Sequence, residues 1–141
     1  MSCANETDTQ LDDPAWREPS NVTILLVEDD EAVRRLSRLI LEMENYKVLE
    51  AVTPADALVK AQEHRGLIQL LVTDVIMPGT NGQALAREIS LLRPDIKVLF
   101  LSGHTHETIF QKGVSGEIPN FLQKPFGPAS LLATVQEILL S

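Results

Sequence analysis

The sequence predicts an α/β fold in which a parallel sheet is covered by helices on both faces. Apolar runs of five or six residues alternate with segments of helical periodicity, as in strands joined by crossover helices. Polar residues suited to chemistry follow three of these runs: Glu28-Asp29-Asp30, Asp74 and Lys124. Open α/β sheets place their binding chemistry at the carboxyl ends of strands, so both observations indicate the same architecture.

The composition is that of one water-soluble domain. The chain has 141 residues, of which 44% are hydrophobic, so it can bury a core but has no room for a second domain of ordinary size. No apolar stretch approaches the roughly 20 residues of a membrane span, and the N-terminus lacks the pattern of a signal peptide. We therefore expect a cytoplasmic protein without a membrane segment. The single cysteine, Cys3, excludes an internal disulfide and a thiolate metal cluster.

The negative charge is concentrated at the N-terminus. The chain has 12 basic and 20 acidic residues, a net charge of −8, and residues 1–20 hold five acids against one arginine. We interpret residues 1–20 as a disordered acidic tail or linker and residues 21–141 as the folded domain. Binding to nucleic acid is not expected, because phosphate contacts require a basic stripe.

The strands and helices alternate along the whole domain. The predicted strands, each rich in branched or aromatic residues, are 22–27, 47–51, 69–73, 96–101 and 119–123. The predicted helices are 31–43, 54–65, 82–92, 105–113 and 128–140.

The first helix shows the clearest amphipathic pattern. Its apolar residues at helical spacing are Leu36, Leu39, Ile40 and Met43, which predicts that they face the core. The polar residues assigned to the outward face are Arg34, Arg35, Arg38 and Glu42.

Capping signals delimit the later helices. Thr53-Pro54 predicts an N-cap followed by proline in the first turn, and Gly66 ends that helix. Asn81-Gly82 opens the third helix, while Gly127-Pro128 precedes the last. The fourth helix, 105–113, has the weakest pattern and is expected to be short and mobile.

Right-handed crossovers on both faces of such a sheet produce a doubly wound, flavodoxin-like (βα)5 architecture with strand order 2-1-3-4-5. The first and third strands are then neighbours at the topological switch point. Glu28, Asp29 and Asp74 should therefore meet in space.

Three carboxylates at one sheet edge require a compensating cation. Two unit charges about 4 Å apart repel by roughly 4 kcal/mol at an effective dielectric constant of about 20. Oxygen ligands without histidine or cysteine favour a hard ion, and Mg²⁺ is the expected one.

Lys124 and the hydroxyl of Ser102 add a cation and a donor, a combination suited to phosphoryl transfer. Asp74 is the expected nucleophile because Lys124 and Ser102 can converge on it.

Five motifs in order make this chain resemble a response-regulator receiver domain of bacterial two-component signalling. They are ILLVEDD at 24–30, TDVIMPG at 73–79, Asn81-Gly82, FLSG at 100–103 and FLQKPF at 121–126. The resemblance covers about residues 22–141, so it identifies the predicted domain, 21–141, as a receiver. The FLSG and FLQKPF strings also resemble receivers fused to hybrid sensor histidine kinases.

The resemblance implies a role for each residue of the expected site. Asp74 is the phosphoacceptor, Glu28 and Asp29 hold the metal, and the backbone carbonyl of Ile76 completes the protein ligands. Ser102 and Lys124 bind the phosphoryl group. Ser102 and Phe121 carry the switch. The resemblance also implies a cis Lys124-Pro125 bond.

The resemblance further implies the partners of the domain. Its phosphodonor is a histidine kinase or a histidine phosphotransfer domain, and its output is a downstream protein that the sequence does not identify. We expect a monomer or weak dimer that catalyses only its own phosphorylation and dephosphorylation.

Two other functions remain open at this stage. A Mg²⁺-dependent phosphohydrolase also uses an aspartyl nucleophile, but it usually has a second acid two residues later, where this chain has Ile76. An inactive pseudo-receiver that serves as a binding module is disfavoured because every expected site position is retained.

Overall fold

A computed structural model describes residues 22–77, 80–103 and 120–141. Its main sheet contains the strands β1 (Thr23–Val27), β2 (Lys47–Ala51), β3 (Leu70–Asp74), β4 (Lys97–Ser102) and β5 (Phe121–Gln123). All neighbouring strands are parallel, in the predicted order β2-β1-β3-β4-β5. The described helices are α1 (Glu31–Glu42), α2 (Pro54–Glu63), α3 (Gly82–Leu92) and α4 (Pro128–Leu140). The predicted tail over 1–20 and the predicted helix over 105–113 lie outside the described residues.

The register of the sheet brings the expected site residues to one edge. Val27 of β1 pairs with Thr73 of β3, so Glu28 and Asp74 follow paired positions. Ser102 of β4 pairs with Gln123 of β5, and Lys124 is the next residue. Every one of these side chains is therefore at the carboxyl edge, where a doubly wound sheet binds ligands.

Helices cover both faces of the sheet, as predicted. On one face, Leu25, Val27 and Leu71 pack with the buried residues of α2 and α3. On the other face, Ile24, Leu26 and Leu70 pack with α1 and α4. Alternate residues of β1 thus enter opposite cores, and this explains why that strand is a continuous apolar run.

The predicted caps form. The Thr53 hydroxyl accepts a hydrogen bond from the Asp56 N–H at 3.1 Å, and the Asn81 side chain accepts one from the Ala84 N–H at 2.9 Å. Helix α2 ends at Glu63, two residues before its predicted end.

The structure corrects the predicted orientation of α1. Leu36, Leu39 and Met43, which were expected in the core, are 54%, 48% and 67% exposed. Ile40 is buried as predicted, and the other buried residues of this helix are Ser37 and Leu41.

This orientation buries Ile40 and Leu41 against the sheet and also forms an ion-pair network with β2. Arg34 and Arg38, predicted to face solvent, have their Nε atoms 3.4 and 3.0 Å from the carboxylate of Glu50. Their aliphatic stems can cover apolar surface while the carboxylate satisfies the guanidinium groups. More than one face of α1 carries apolar residues. These contacts favour burial of the face with Ile40 and Leu41, which differs from the face predicted from periodicity.

None of the helices in the described part of the chain combines the length and hydropathy that crossing a bilayer requires.

Candidate functional site

Three acids converge at the carboxyl ends of β1 and β3. Glu28 follows β1 and is 1% exposed, and Asp74 ends β3 and is 6% exposed. Asp29 is exposed beside them. One carboxylate oxygen from each residue lies within 4.8 Å of the others. The predicted meeting of these residues across the switch point is thus seen in the structure.

Lys124 bridges the two buried acids. Its Nζ atom lies 2.7 Å from Glu28 Oε1 and 2.8 Å from Asp74 Oδ1. Only the contact with Glu28 has hydrogen-bonding geometry, so Asp74 Oδ1 interacts with the ammonium by proximity of charge. The backbone N–H of Lys124 donates to the Ser102 carbonyl at 2.8 Å, which anchors this residue to β4. The Lys124-Pro125 bond is cis.

Burial and the neighbouring carboxylate change the acidity of Asp74. Desolvation first, and then a hydrogen bond and charge repulsion from Glu28, raise the pKa of Asp74 to about 8, although Lys124 opposes the rise. Burial alone would raise the pKa of Glu28, but hydrogen bonds with Asp74, Lys124 and the Asp30 N–H lower it below 4.5. Lys124 loses solvation, yet its close contacts with Asp74 and Glu28 and their negative charges raise its pKa. The pair of buried acids therefore retains one proton near neutral pH.

The donor set at this edge fits a hard divalent cation. Glu28, Asp29 and Asp74 offer only carboxylate oxygens, and burial together with Glu28 raises the pKa of Asp74 even with Lys124 beside it. Oxygen ligands without nitrogen or sulfur suit Mg²⁺ or Ca²⁺. These three residues could hold such an ion, which would take the place of the proton retained by the buried acids.

A small cavity opens beside Asp74. Its volume is about 80 Å³, and its lining residues are Asp74, Ile76, Leu101, Ser102, Gly103 and Lys124. Ser102 is 3% exposed and ends β4, so its side chain is held at the position where the sequence predicts a hydroxyl donor. Ile76 belongs to a two-residue strand, Ile76–Met77, that pairs antiparallel with Thr80–Asn81. The cavity can admit a small group in contact with Asp74.

Phe121, the predicted aromatic switch residue, lies on β5. It begins β5, pairs with Phe100, and packs half-buried against the core between the sheet and helices α2 and α3. Its ring can therefore respond to movement of β4 and β5 only through packing.

The sequence did not indicate two further residues near the site. Arg34 was assigned to solvent, but its Nη1 atom donates to the Glu28 carbonyl at 3.0 Å. Gly82 was interpreted as a helix start and as part of a family motif, with no contact assigned to it, but its N–H donates to the Val75 carbonyl at 2.6 Å. Its α-carbon also lies so close to Asp74 that an added Cβ would overlap the Asp74 carbonyl oxygen. No motif spacing reports such contacts, since both depend on the chain path in three dimensions.

Comparisons with known proteins agree with this geometry. A family profile described as the response regulator receiver domain matches residues 24–136. The chain is 37% identical over 119 residues to the sensor kinase CckA of Brucella abortus, which covers 84% of this chain and 13% of that protein. It is 31% identical over 118 residues to the response regulator receiver protein CpdR of Brucella abortus, which covers 84% of this chain and 97% of that one.

Solved structures show the same fold. The receiver domain of the hybrid histidine kinase CckA superposes with a TM-score of 0.68 at 37% identity, covering 83% of this chain and 98% of that one. A CheY-like receiver domain protein from Methanospirillum hungatei superposes with a TM-score of 0.72 at 28% identity, covering 85% and 94%.

Proposed function

The chain belongs to the response-regulator receiver family, and from that premise we propose that Asp74 accepts a phosphoryl group from a histidine kinase or a histidine phosphotransfer domain. The observation that supports this most directly is the burial of Asp74 against Lys124 and two further acids. The proposed metal ligands are Glu28, Asp29, Asp74 and the backbone carbonyl of Ile76, and the proposed ion is Mg²⁺.

The reaction is an in-line transfer to a carboxylate. An ionised oxygen of Asp74 bonds to phosphorus, the bond from phosphorus to the donor nitrogen breaks, and its electron pair stays with the imidazole. The retained proton must leave Asp74 first, because its pKa is about 8. Lys124 favours the ionised form from 2.8 Å away. Bound Mg²⁺ supplies the positive charge that neutralises the phosphoryl oxygens.

The same cavity positions two groups for the product. Ser102 and Lys124 line it together with Asp74, so a hydroxyl and an ammonium can both bind phosphoryl oxygens. Hydrolysis of phosphorylated Asp74 regenerates the unmodified protein. We propose that the domain catalyses only its own phosphorylation and dephosphorylation.

We propose that the phosphorylated domain, a cytoplasmic monomer or weak dimer, acts on a downstream protein. Its relatives include a long and a short protein: the chain spans 13% of CckA but 97% of CpdR. Both a hybrid kinase and a free-standing receiver are therefore suitable contexts.

Labelling with acetyl phosphate tests the acceptor and the metal. We expect one phosphoryl group per wild-type chain, none in Asp74→Ala, and none in the presence of EDTA. Asp29→Asn should react at least about 10-fold more slowly, since it loses a proposed metal ligand. Asp30→Asn is the matched control, because Asp30 is an exposed N-cap of α1 and asparagine caps equally well.

Each alternative has its own outcome in this assay. Continuous release of phosphate would indicate a phosphohydrolase, and absence of labelling would indicate a pseudo-receiver. Undiminished labelling of Asp29→Asn would contradict the metal assignment.

The switch is proposed to lie within residues 102–126. Phosphorylation adds roughly −1.5 to −2 charges beside Lys124 and Ser102, enough to draw both toward Asp74 and to repack Phe121. Amide exchange of the phosphorylated protein should therefore change most in this segment. A change concentrated in α2 would show that the signal leaves the site by another route.

A further inference from the structure

Arg34 contacts the backbone of the turn that carries Glu28 and Asp29. Its side chain is 16% exposed, and its Nη1 atom donates to the backbone carbonyl of Glu28 at 3.0 Å. This carbonyl belongs to the peptide that joins Glu28 to Asp29. The orientation of that peptide determines where the Asp29 side chain points.

The Glu28 backbone is held from two sides. Its N–H donates to the Ala51 carbonyl of β2 at 3.1 Å, while Arg34 binds its carbonyl. The Glu28 carboxylate in turn accepts from the Asp30 N–H at 3.2 Å. The turn that carries both proposed metal ligands is therefore fixed by hydrogen bonds, and Arg34 supplies the one that comes from a side chain of α1.

Glu50 neutralises and anchors Arg34. Its carboxylate lies 3.4 Å from Arg34 Nε and 3.0 Å from Arg38 Nε. Its carbonyl accepts a hydrogen bond from Lys60, which ties this part of β2 to α2. The guanidinium of Arg34 thus has its charge compensated away from the acid cluster.

We propose that Arg34 is a positioning residue that holds the Glu28–Asp29 peptide so that both carboxylates address one divalent cation, an inference that rests on the proposed function. Two effects oppose each other when Arg34 is removed. Loss of a positive charge favours cation binding, and loss of the hydrogen bond disorders the ligands. The second effect is larger, because Glu50 already compensates the charge of Arg34, and the hydrogen bond of Arg34 to the acid pair is to the Glu28 backbone carbonyl.

The test is Mg²⁺ affinity measured by calorimetry in wild type, Arg34→Met and Arg38→Met. Arg38 is the matched control, since it lies one turn later in α1 and also pairs with Glu50, while its other contact is Glu42. We expect the dissociation constant to rise about 10-fold in Arg34→Met and less than about 2-fold in Arg38→Met. The difference should persist at about 0.5 M salt, where electrostatic effects are screened.

Amide exchange in the metal-free protein gives a second reading that is independent of the ion. The Asp30 N–H should exchange about 10-fold faster in Arg34→Met, because its acceptor Glu28 is no longer fixed, and should be unchanged in Arg38→Met. If wild type binds no Mg²⁺, the proposed function fails, while this exchange rate still decides whether Arg34 positions the turn.

Three results would overturn the inference: an unchanged Mg²⁺ affinity in folded Arg34→Met, an equal loss in Arg38→Met, or unchanged Asp30 exchange. Tighter binding that added salt abolishes would identify a charge effect and overturn it as well. Should Arg34→Met not fold, Arg34→Lys replaces it, with an intermediate loss expected and no loss contradicting the role.

Discussion

Gly82 shows how closely the backbone approaches the candidate acceptor. A Cβ at this position would overlap the Asp74 carbonyl oxygen and lie 3.1 Å from the Asp74 carbonyl carbon. The close approach also allows the Gly82 N–H to donate to the Val75 carbonyl at 2.6 Å. A side chain here would therefore displace the end of β3 that carries Asp74.

We predict that Gly82→Ala lowers the free energy of unfolding by about 1–3 kcal/mol, as overpacking in a close-packed region does. Labelling by acetyl phosphate should also slow. Gly127→Ala is the control, because a Cβ at Gly127 would meet no described atom within 4 Å. Urea unfolding compares the two variants, and equal stability of both would show that the backbone adjusts at Gly82 without cost.

At the residue scale, the charged members of the site were predictable and the supporting contacts were not. Glu28, Asp74 and Lys124 each follow an apolar run, so their position at strand ends is a local pattern. Arg34 and Gly82 act through backbone carbonyls, and any residue supplies a carbonyl. The sequence therefore carries no sign of which one they contact.

Arg93 is the residue that follows α3, and its side chain binds the end of α2. Its guanidinium donates to the Ala61 carbonyl in the last turn of α2 at 2.9 Å, and to the His64 and Gly66 carbonyls just beyond the helix, both at 2.7 Å. The last carbonyls of a helix have no partner within it, so Arg93 satisfies groups that would otherwise depend on water.

We predict that Arg93→Ala lowers the free energy of unfolding by roughly 2 kcal/mol, since it removes several charge-assisted hydrogen bonds at a partly buried position. Arg93→Lys should recover only part of this, because an ammonium lacks the planar fork of a guanidinium. The control is Arg87→Ala on the exposed surface of α3, expected to change stability by less than about 0.5 kcal/mol. Thermal unfolding that does not separate Arg93→Ala from Arg87→Ala would show that water replaces these bonds at no cost.

At the element scale, the sequence predicted the five strands of the main sheet and the four described helices, but not the short pair Ile76–Met77 and Thr80–Asn81 or the rotation of α1. Thr53 and Asn81 cap their helices as predicted, because capping depends on a few neighbouring residues. The buried face of α1 depends on its contacts with the sheet, which include the ion pairs with Glu50 of β2. Leu36, Leu39 and Met43 consequently remain exposed despite their regular spacing.

The acid cluster couples the stability of the whole domain to pH and to metal. In the metal-free protein, the pKa of Asp74 is raised from 3.8 to about 8, so the folded state retains a proton that the unfolded chain releases. Stability must then fall as the pH rises between these values. The lowered pKa of Glu28 acts in the opposite sense, and its stabilisation is lost only as the pH falls below its ordinary value of 4.5.

We predict that the free energy of unfolding in EDTA decreases by roughly 3–4 kcal/mol between about pH 5 and about pH 8, because each pH unit between the two pKa values costs about 1.4 kcal/mol. In Asp74→Asn, the free energy of unfolding should depend much less on pH, and this variant should be more stable than wild type at the higher pH. Saturating Mg²⁺ should stabilise wild type more at high pH, because binding requires release of the proton. Urea unfolding at several pH values gives the profile, and identical slopes in wild type and Asp74→Asn would place the titrating group elsewhere.

The sequence by itself determined the fold class, the strand order and the residues that provide charge at the sheet edge. These features follow from local information: apolar periodicity, helix caps and the topology that short crossovers impose. Only the tertiary structure decided how Lys124 bridges Glu28 and Asp74, which face of α1 is buried, and how Arg34 and Gly82 support the site. The physical reason is that hydrogen bonds to backbone carbonyls, burial of charge and contact between distant segments depend on distances in the folded chain, which spacing along the sequence does not contain.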